Sequence, residues 1–135
     1  RELISAAGEA GVRLAIATTT SLPNVDALLQ AAYNGSGDGI FEAICAGDSV
    51  PAKKPAPDIY LDALRQLDLA PDACLAIEDS RNGLIAASTA GISTIVTPGI
   101  YTEGQDFSEA ELVVTDLNSV AIAELLSGRL THESR

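Results

Sequence analysis

Apolar residues along the chain fall into two rhythms, short continuous runs and longer stretches that repeat every three or four positions. The runs are residues 12–17, 41–45, 74–77, 93–96 and 112–114. Each is too short for a helix and reads as a strand. Near-continuous runs such as 12–17, broken only by Arg13, predict a parallel sheet covered on both faces. Residues 41–45 are the weakest of the set.

The stretches between the runs carry helical spacing. Residues 2–10 read as a helix closed by Gly11. Pro23 fits the first turn of a second, which spaces Val25, Leu28, Leu29 and Ala32 along one side before the breaker at 34–37. A third begins near Asp58, puts Ile59, Tyr60, Ala63, Leu64 and Leu67 on one face and stops before Pro71. Residues 80–90 form a fourth, with Leu84, Ala87 and Ala90 inward and Gly91 closing it. A last helix, 117–126, aligns Val120, Ala123 and Leu126 and ends before Gly128. This alternation predicts one α/β domain over residues 1–135: a doubly wound, Rossmann-like parallel sheet with helices on both faces.

Composition narrows the partners. At 135 residues and 47% apolar content there is material for one core and no second domain. The net charge of −11, from 8 basic and 19 acidic residues, opposes nucleic acid, whose binding rests on Lys and Arg at phosphates. No segment approaches the roughly 20 apolar residues of a membrane helix and no signal segment opens the chain, so a soluble, cytoplasmic protein is expected. Cys45 and Cys74 fall in predicted strands and read as reduced core thiols. His132, in the polar tail, receives no role. The chain starts at Arg1 and contains no Met, which is expected of a piece of a longer protein.

Candidate chemistry gathers where strands end. Glu78 and Asp79 follow the run 74–77, and Thr18, Thr19, Thr20 and Ser21 follow the run 14–17. In an open parallel sheet these are the carboxyl ends, where ligands collect. Lys54, before Pro55, is the candidate cation, with Lys53 its competitor. Taken alone, each signal has a plain reading: the hydroxyls as helix caps, Lys54 as a solvated loop residue, the acidic pair as first-turn charges that favour a helix dipole. Hydroxyls, a lysine and paired carboxylates together suit a phosphate ester and Mg²⁺.

At these residues the chain resembles the haloacid dehalogenase-like superfamily, in its sugar-phosphatase and β-phosphoglucomutase branch. Residues 46–60, Ala-Gly-Asp-Ser-Val-Pro-Ala-Lys-Lys-Pro-Ala-Pro-Asp-Ile-Tyr, resemble that branch's third motif, with Lys54 at its phosphate-binding lysine. Residues 75–83 resemble the fourth motif, whose acidic pair, here Glu78 and Asp79, helps hold Mg²⁺. Residues 14–21 resemble the second, with Thr18 at its phosphate-contacting hydroxyl and Thr19 beside it. Pro23-Asn24 is most like CbbY-type phosphatases acting on sugar bisphosphates, which makes Asn24 a candidate substrate contact. Residues 1–11 resemble the helix that returns from the family's cap to its core.

The resemblance implies a Mg²⁺-dependent phosphatase for small sugar-phosphate monoesters. Its first motif, Asp-x-Asp, whose leading Asp attacks phosphorus, occurs nowhere in the sequence, and no cap lies between the first and second motifs. The expectation is therefore the C-terminal portion of the core, inactive alone, without the nucleophile strand or the cap. It would also lack the central strand between those ending at Thr18 and Glu78, leaving two inner edges that cost stability and invite strand exchange. A phosphomutase, a noncatalytic phosphate-binding module and, last, a receiver-type signalling domain are the alternatives.

Overall fold

The computed structural model describes residues 11–33, 40–99 and 102–114. Among the described residues there are five strands, β1 (Ala15–Ala17), β2 (Ala43–Cys45), β3 (Leu75–Glu78), β4 (Ser93–Val96) and β5 (Leu112–Val113), and three helices, α1 (Leu22–Tyr33), α2 (Asp58–Leu67) and α3 (Arg81–Thr89), each of which follows one of the first three strands. The helices expected over 2–10 and 117–126, the breaker at 34–37 and His132 lie outside the described residues. No described helix is long and apolar enough to cross a membrane.

Among the described residues every strand pairing is parallel. β1 pairs with β2, Ile16 opposite Ile44, and β3 with β4 and β4 with β5 form a second sheet. Among the described residues β1 and β3 are not hydrogen-bonded to one another, so each presents an edge toward the other's sheet. β1 is shorter than its apolar run, and Arg13 precedes it. Its guanidinium pairs with Glu42 and donates to the Leu67 carbonyl at 2.8 Å, tying the start of β1 to the end of α2.

Strand alternation divides the core between the two faces. On one face Ile16 and Ile44 pack with Val25 and Leu29 of α1, and with Phe41 and Ala46. On the other, Cys45 and Ala76 meet Ile59, Tyr60, Ala63 and Leu64 of α2 and Ala86 and Ala87 of α3. The predicted inward residues of α2 and α3 are buried. On α1 the predicted stripe is too wide. Val25 and Leu29 are buried, one turn apart, while Leu28 is 67% exposed, since only that narrow line of the helix meets the sheet. Gly91 closes α3 with φ +87°, a conformation that costs a residue without Cβ little.

The buried thiol has a measurable consequence. Neither cysteine is in a disulfide, and Cys45 is fully enclosed. Burial, followed by the hydrogen bond and negative charge of Asp62, pushes its thiol from 9.0 to about 12. Between those values the unfolded chain holds fewer protons than the folded one, so stability falls as pH rises, by about 1.4 kcal/mol per pH unit at the limit. Urea unfolding at pH 8 and pH 10 is expected to show this loss in the wild type and a smaller one in Cys45→Ser; equal losses would remove Cys45 as the cause.

Candidate active site

β1 and β3 open at their carboxyl ends into one cleft of about 570 Å³, within the roughly 300–1,000 Å³ range of small-molecule pockets. Thr18 and Thr19 come to it from the end of β1, Lys53 and Lys54 from the loop before α2, Glu78 from the end of β3, Asp79 and Ser80 from the turn that follows, and Asn82 from the first turn of α3.

The hydroxyl loop is held by its neighbour strand. Thr18 N–H donates to the Cys45 carbonyl at 3.0 Å, one step past the β1–β2 ladder, and Gly47 N–H donates to the Thr20 carbonyl at 2.8 Å. Thr18 Oγ1 then accepts Thr20 N–H at 3.2 Å, which turns the chain. Gly47 permits the approach: a Cβ there would stand 2.1 Å from the Thr19 carbonyl oxygen. At the start of α1, Leu22 N–H is met by Asp48 Oδ1 at 3.3 Å, a cap contributed from across the sheet. Thr18 is thus engaged in its own turn while lining the cleft.

Lys54 sits between the two sheets. Its ammonium donates to the Ala17 carbonyl at 3.1 Å and to Glu78 Oε1, with the Tyr60 ring centroid 5.1 Å away. Tyr60 O–H donates to the same Oε1 at 2.5 Å. The side chains of Lys54 and Glu78 are 11% and 8% exposed, a depth at which removing either partner strands a buried charge. Burial, with the negative charge and hydrogen bond of Glu78 behind it, raises the Tyr60 phenol well above its ordinary range, keeping it a donor. The other carboxylate oxygen rests on Gly83, where a Cβ would fall 2.0 Å from Oε2. This contact is the structural reason for a glycine five residues after Glu78.

Asp79 is exposed and lines the cleft. Ser80 caps α3, its Oγ accepting Gly83 N–H at 3.2 Å, so the positive end of the helix dipole lies beside the cleft. The loop before β5 pins that helix start. Gln105 Oε1 accepts Arg81 N–H at 2.9 Å, and the Arg81 guanidinium donates to the Asp106 carbonyl at 2.6 Å and Glu109 Oε1 at 3.1 Å.

The structure therefore brings Thr18, Thr19, Lys54, Glu78 and Asp79 to one cleft. It separates Lys54, turned inward, from Lys53, which is exposed. Asn24 is exposed in the first turn of α1 and is outside the lining. Sequence reasoning missed Tyr60, read only as a core residue; a buried phenol needs a partner, and that requirement was the available signal. It also missed Asn82 and the Gly47 and Gly83 contacts.

For Mg²⁺, the donors fit in a limited way. Among the described residues no cluster of three or more His, Cys, Asp or Glu could hold a metal. Glu78 and Asp79 alone would suffice for an ion that takes one or two carboxylates and completes its shell with phosphate oxygens and water. Of the two, Asp79 is the accessible one.

The family model for haloacid dehalogenase-like hydrolases matches residues 1–91. The chain belongs to the haloacid dehalogenase-like hydrolase family. Within that family, the CbbY protein of Rhodobacter capsulatus is 54% identical over 120 residues, covering 89% of this chain and 53% of that protein. The crystal structure of CbbY from Rhodobacter sphaeroides in complex with phosphate has TM-score 0.83 at 50% identity, over 89% of this chain and 55% of that one. A mutant of the same protein in complex with xylulose-(1,5)bisphosphate matches equally well. A Thermotoga maritima structure assigned to the β-phosphoglucomutases has TM-score 0.72 at 29% identity, over 84% of this chain and 53% of that one. This haloacid dehalogenase-like chain thus spans about half the length of the relatives it matches.

Proposed function

We propose that this chain is the phosphate-holding part of a Mg²⁺-dependent phosphatase for small sugar phosphates, active once an aspartate from outside these 135 residues completes it. The observation that carries the reading is Lys54, an ammonium held between the ends of β1 and β3 in the same cleft as Thr18 and Asp79.

In this reading Thr18, Thr19 and Lys54 bind the phosphoryl oxygens. An ammonium has three donors, and Lys54 uses two on Ala17 and Glu78, which leaves one for phosphate. Glu78 orients Lys54, and with Asp79 it would hold Mg²⁺, which supplies charge to offset the phosphate. The edges of β1 and β3 would receive the strand that carries the attacking carboxylate, beside Lys54. That carboxylate would form an O–P bond as the sugar oxygen leaves and takes up a proton; water would then release phosphate. Asn24 would meet the substrate beyond its phosphate. The reading includes a cytoplasmic location, in keeping with two reduced thiols.

The xylulose-(1,5)bisphosphate bound to a CbbY relative supports a sugar bisphosphate as substrate. A mutase reading has the Thermotoga maritima likeness behind it and uses the same cleft residues. The test is hydrolysis of p-nitrophenyl phosphate with Mg²⁺. The homogeneous 135-residue chain is expected to give no turnover above buffer, and addition of a chain bearing the Asp-x-Asp strand is expected to restore it. Sustained turnover by the chain alone would contradict the proposed need for an outside aspartate.

A further inference from the structure

We propose that Tyr60 is a positioning residue for phosphate binding: its hydroxyl shares the Glu78 carboxylate with Lys54 and thereby keeps part of the ammonium available to the ligand. The inference rests on the phosphatase reading above and adds to its site a residue that does not touch phosphate.

The fold brings Tyr60 to this carboxylate. Alternation along β3 sends Glu78 to the same face as Ala76, the face that α2 and α3 cover. Tyr60, the third residue of α2, is 7% exposed and packs in that core. It is not among the residues that line the cleft. Its O–H reaches Glu78 Oε1 at 2.5 Å, and Lys54 donates to the same oxygen. The Gly83 backbone closes the remaining space, since a Cβ there would fall 2.0 Å from Oε2. Any effect of Tyr60 on a ligand therefore passes through Glu78 and Lys54.

The chemistry follows from how one oxygen is shared. A carboxylate oxygen has about two lone-pair sites, and the phenol and the ammonium occupy those of Oε1. Any acceptor would satisfy a buried phenol; here the acceptor is the counter-ion of Lys54. Donation from the phenol disperses part of the carboxylate charge, so Lys54 need not answer all of it. Without the hydroxyl, the buried carboxylate draws the ammonium harder, at the expense of its bond to a phosphate in the cleft. The ring acts separately. Its centroid lies 5.1 Å from Lys54 Nζ, within the roughly 6 Å reach of a cation–π contact. Phenylalanine would keep that contact and the packing and lose only the hydroxyl, so Tyr60→Phe isolates the shared oxygen.

The test is titration of the 135-residue chain with inorganic phosphate, followed by NMR, for the wild type, Tyr60→Phe, Glu78→Gln and the double variant. Tyr60→Phe is expected to bind phosphate about tenfold more weakly, the low end of what one hydrogen bond to a charged group contributes. In the Glu78→Gln background the same change is expected to alter affinity less than about twofold, because no carboxylate charge remains to share. A purely structural role would instead lower the urea midpoint and leave the affinity of the folded protein unchanged. The wild type supplies a check that needs no variant to fold: phosphate should shift the Tyr60 ring Cζ resonance along with that of Lys54 Cε. Equal affinity in wild type and Tyr60→Phe, an equal loss in both backgrounds, or a Tyr60 signal that stays fixed while Lys54 moves overturns this inference and leaves the phosphatase reading standing. A wild type that binds no phosphate saturably overturns that reading, and this inference with it.

Discussion

Gly47→Ala is expected to lower stability by about 3 kcal/mol, the upper part of the range for forcing atoms into a packed site, and to weaken phosphate binding with it. The added Cβ would stand 2.1 Å from the Thr19 carbonyl oxygen, 2.6 Å from its carbon and 3.0 Å from its Cα. These are backbone atoms, so no side-chain rotation relieves the contact. Relief means parting the 18–20 segment from the 45–47 segment, at the cost of the Thr18–Cys45 and Gly47–Thr20 hydrogen bonds. The same movement shifts the hydroxyl residues of the cleft. Urea unfolding checks the first effect and phosphate titration the second. A Gly47→Ala protein with the wild-type midpoint would mean that the two segments are not in contact as described.

Lys54→Met is expected to cost a similar amount, about 3–5 kcal/mol, because it leaves Glu78 charged and buried without its counter-ion. Methionine nearly matches the lysine stem, so lost packing contributes little. Tyr60 O–H remains to donate to Glu78, but a neutral donor does not replace a full charge. The double variant Lys54→Met, Glu78→Gln separates stability from function. Removing the second charge relieves the stranded carboxylate and is expected to recover more than half of the lost stability, a coupling read from the double-mutant cycle. Phosphate binding should stay lost, because the ammonium is still missing. If the double variant were no more stable than Lys54→Met, the buried pair would not be what holds the ends of β1 and β3 together.

Much of the fold was legible because apolar runs and helical spacing are direct records of burial. All five predicted strands occur, and α2 and α3 bury the residues their periodicity marked. Leu28 was misread because spacing reports which residues share a helix face but not how much of that face another element covers. The ties of Arg13 were hidden for a different reason, since its partners, Glu42 and Leu67, lie far away in sequence.

In the site, residue types were legible and their division of labour was not. Glu78 and Asp79 entered as an equivalent pair. Strand alternation separates them, since Glu78 shares the buried face of Ala76 and meets Lys54 and Tyr60, while Asp79 is left exposed. That distinction could have been drawn from period two alone. The contacts at Gly47 and Gly83 could not, because each depends on a backbone or side chain brought close only by the fold.

The central claim is that Lys54, set between β1 and β3, makes this cleft a phosphate site. The most direct measurement is a phosphate titration of the wild type and of the Lys54→Met, Glu78→Gln variant, followed by backbone NMR shifts with and without Mg²⁺. The account predicts saturable shifts at Thr18, Thr19 and Asp79 in the wild type, tighter with Mg²⁺, and none in the folded double variant. Equal binding by both proteins, or saturable shifts that fall elsewhere on the chain, would contradict it.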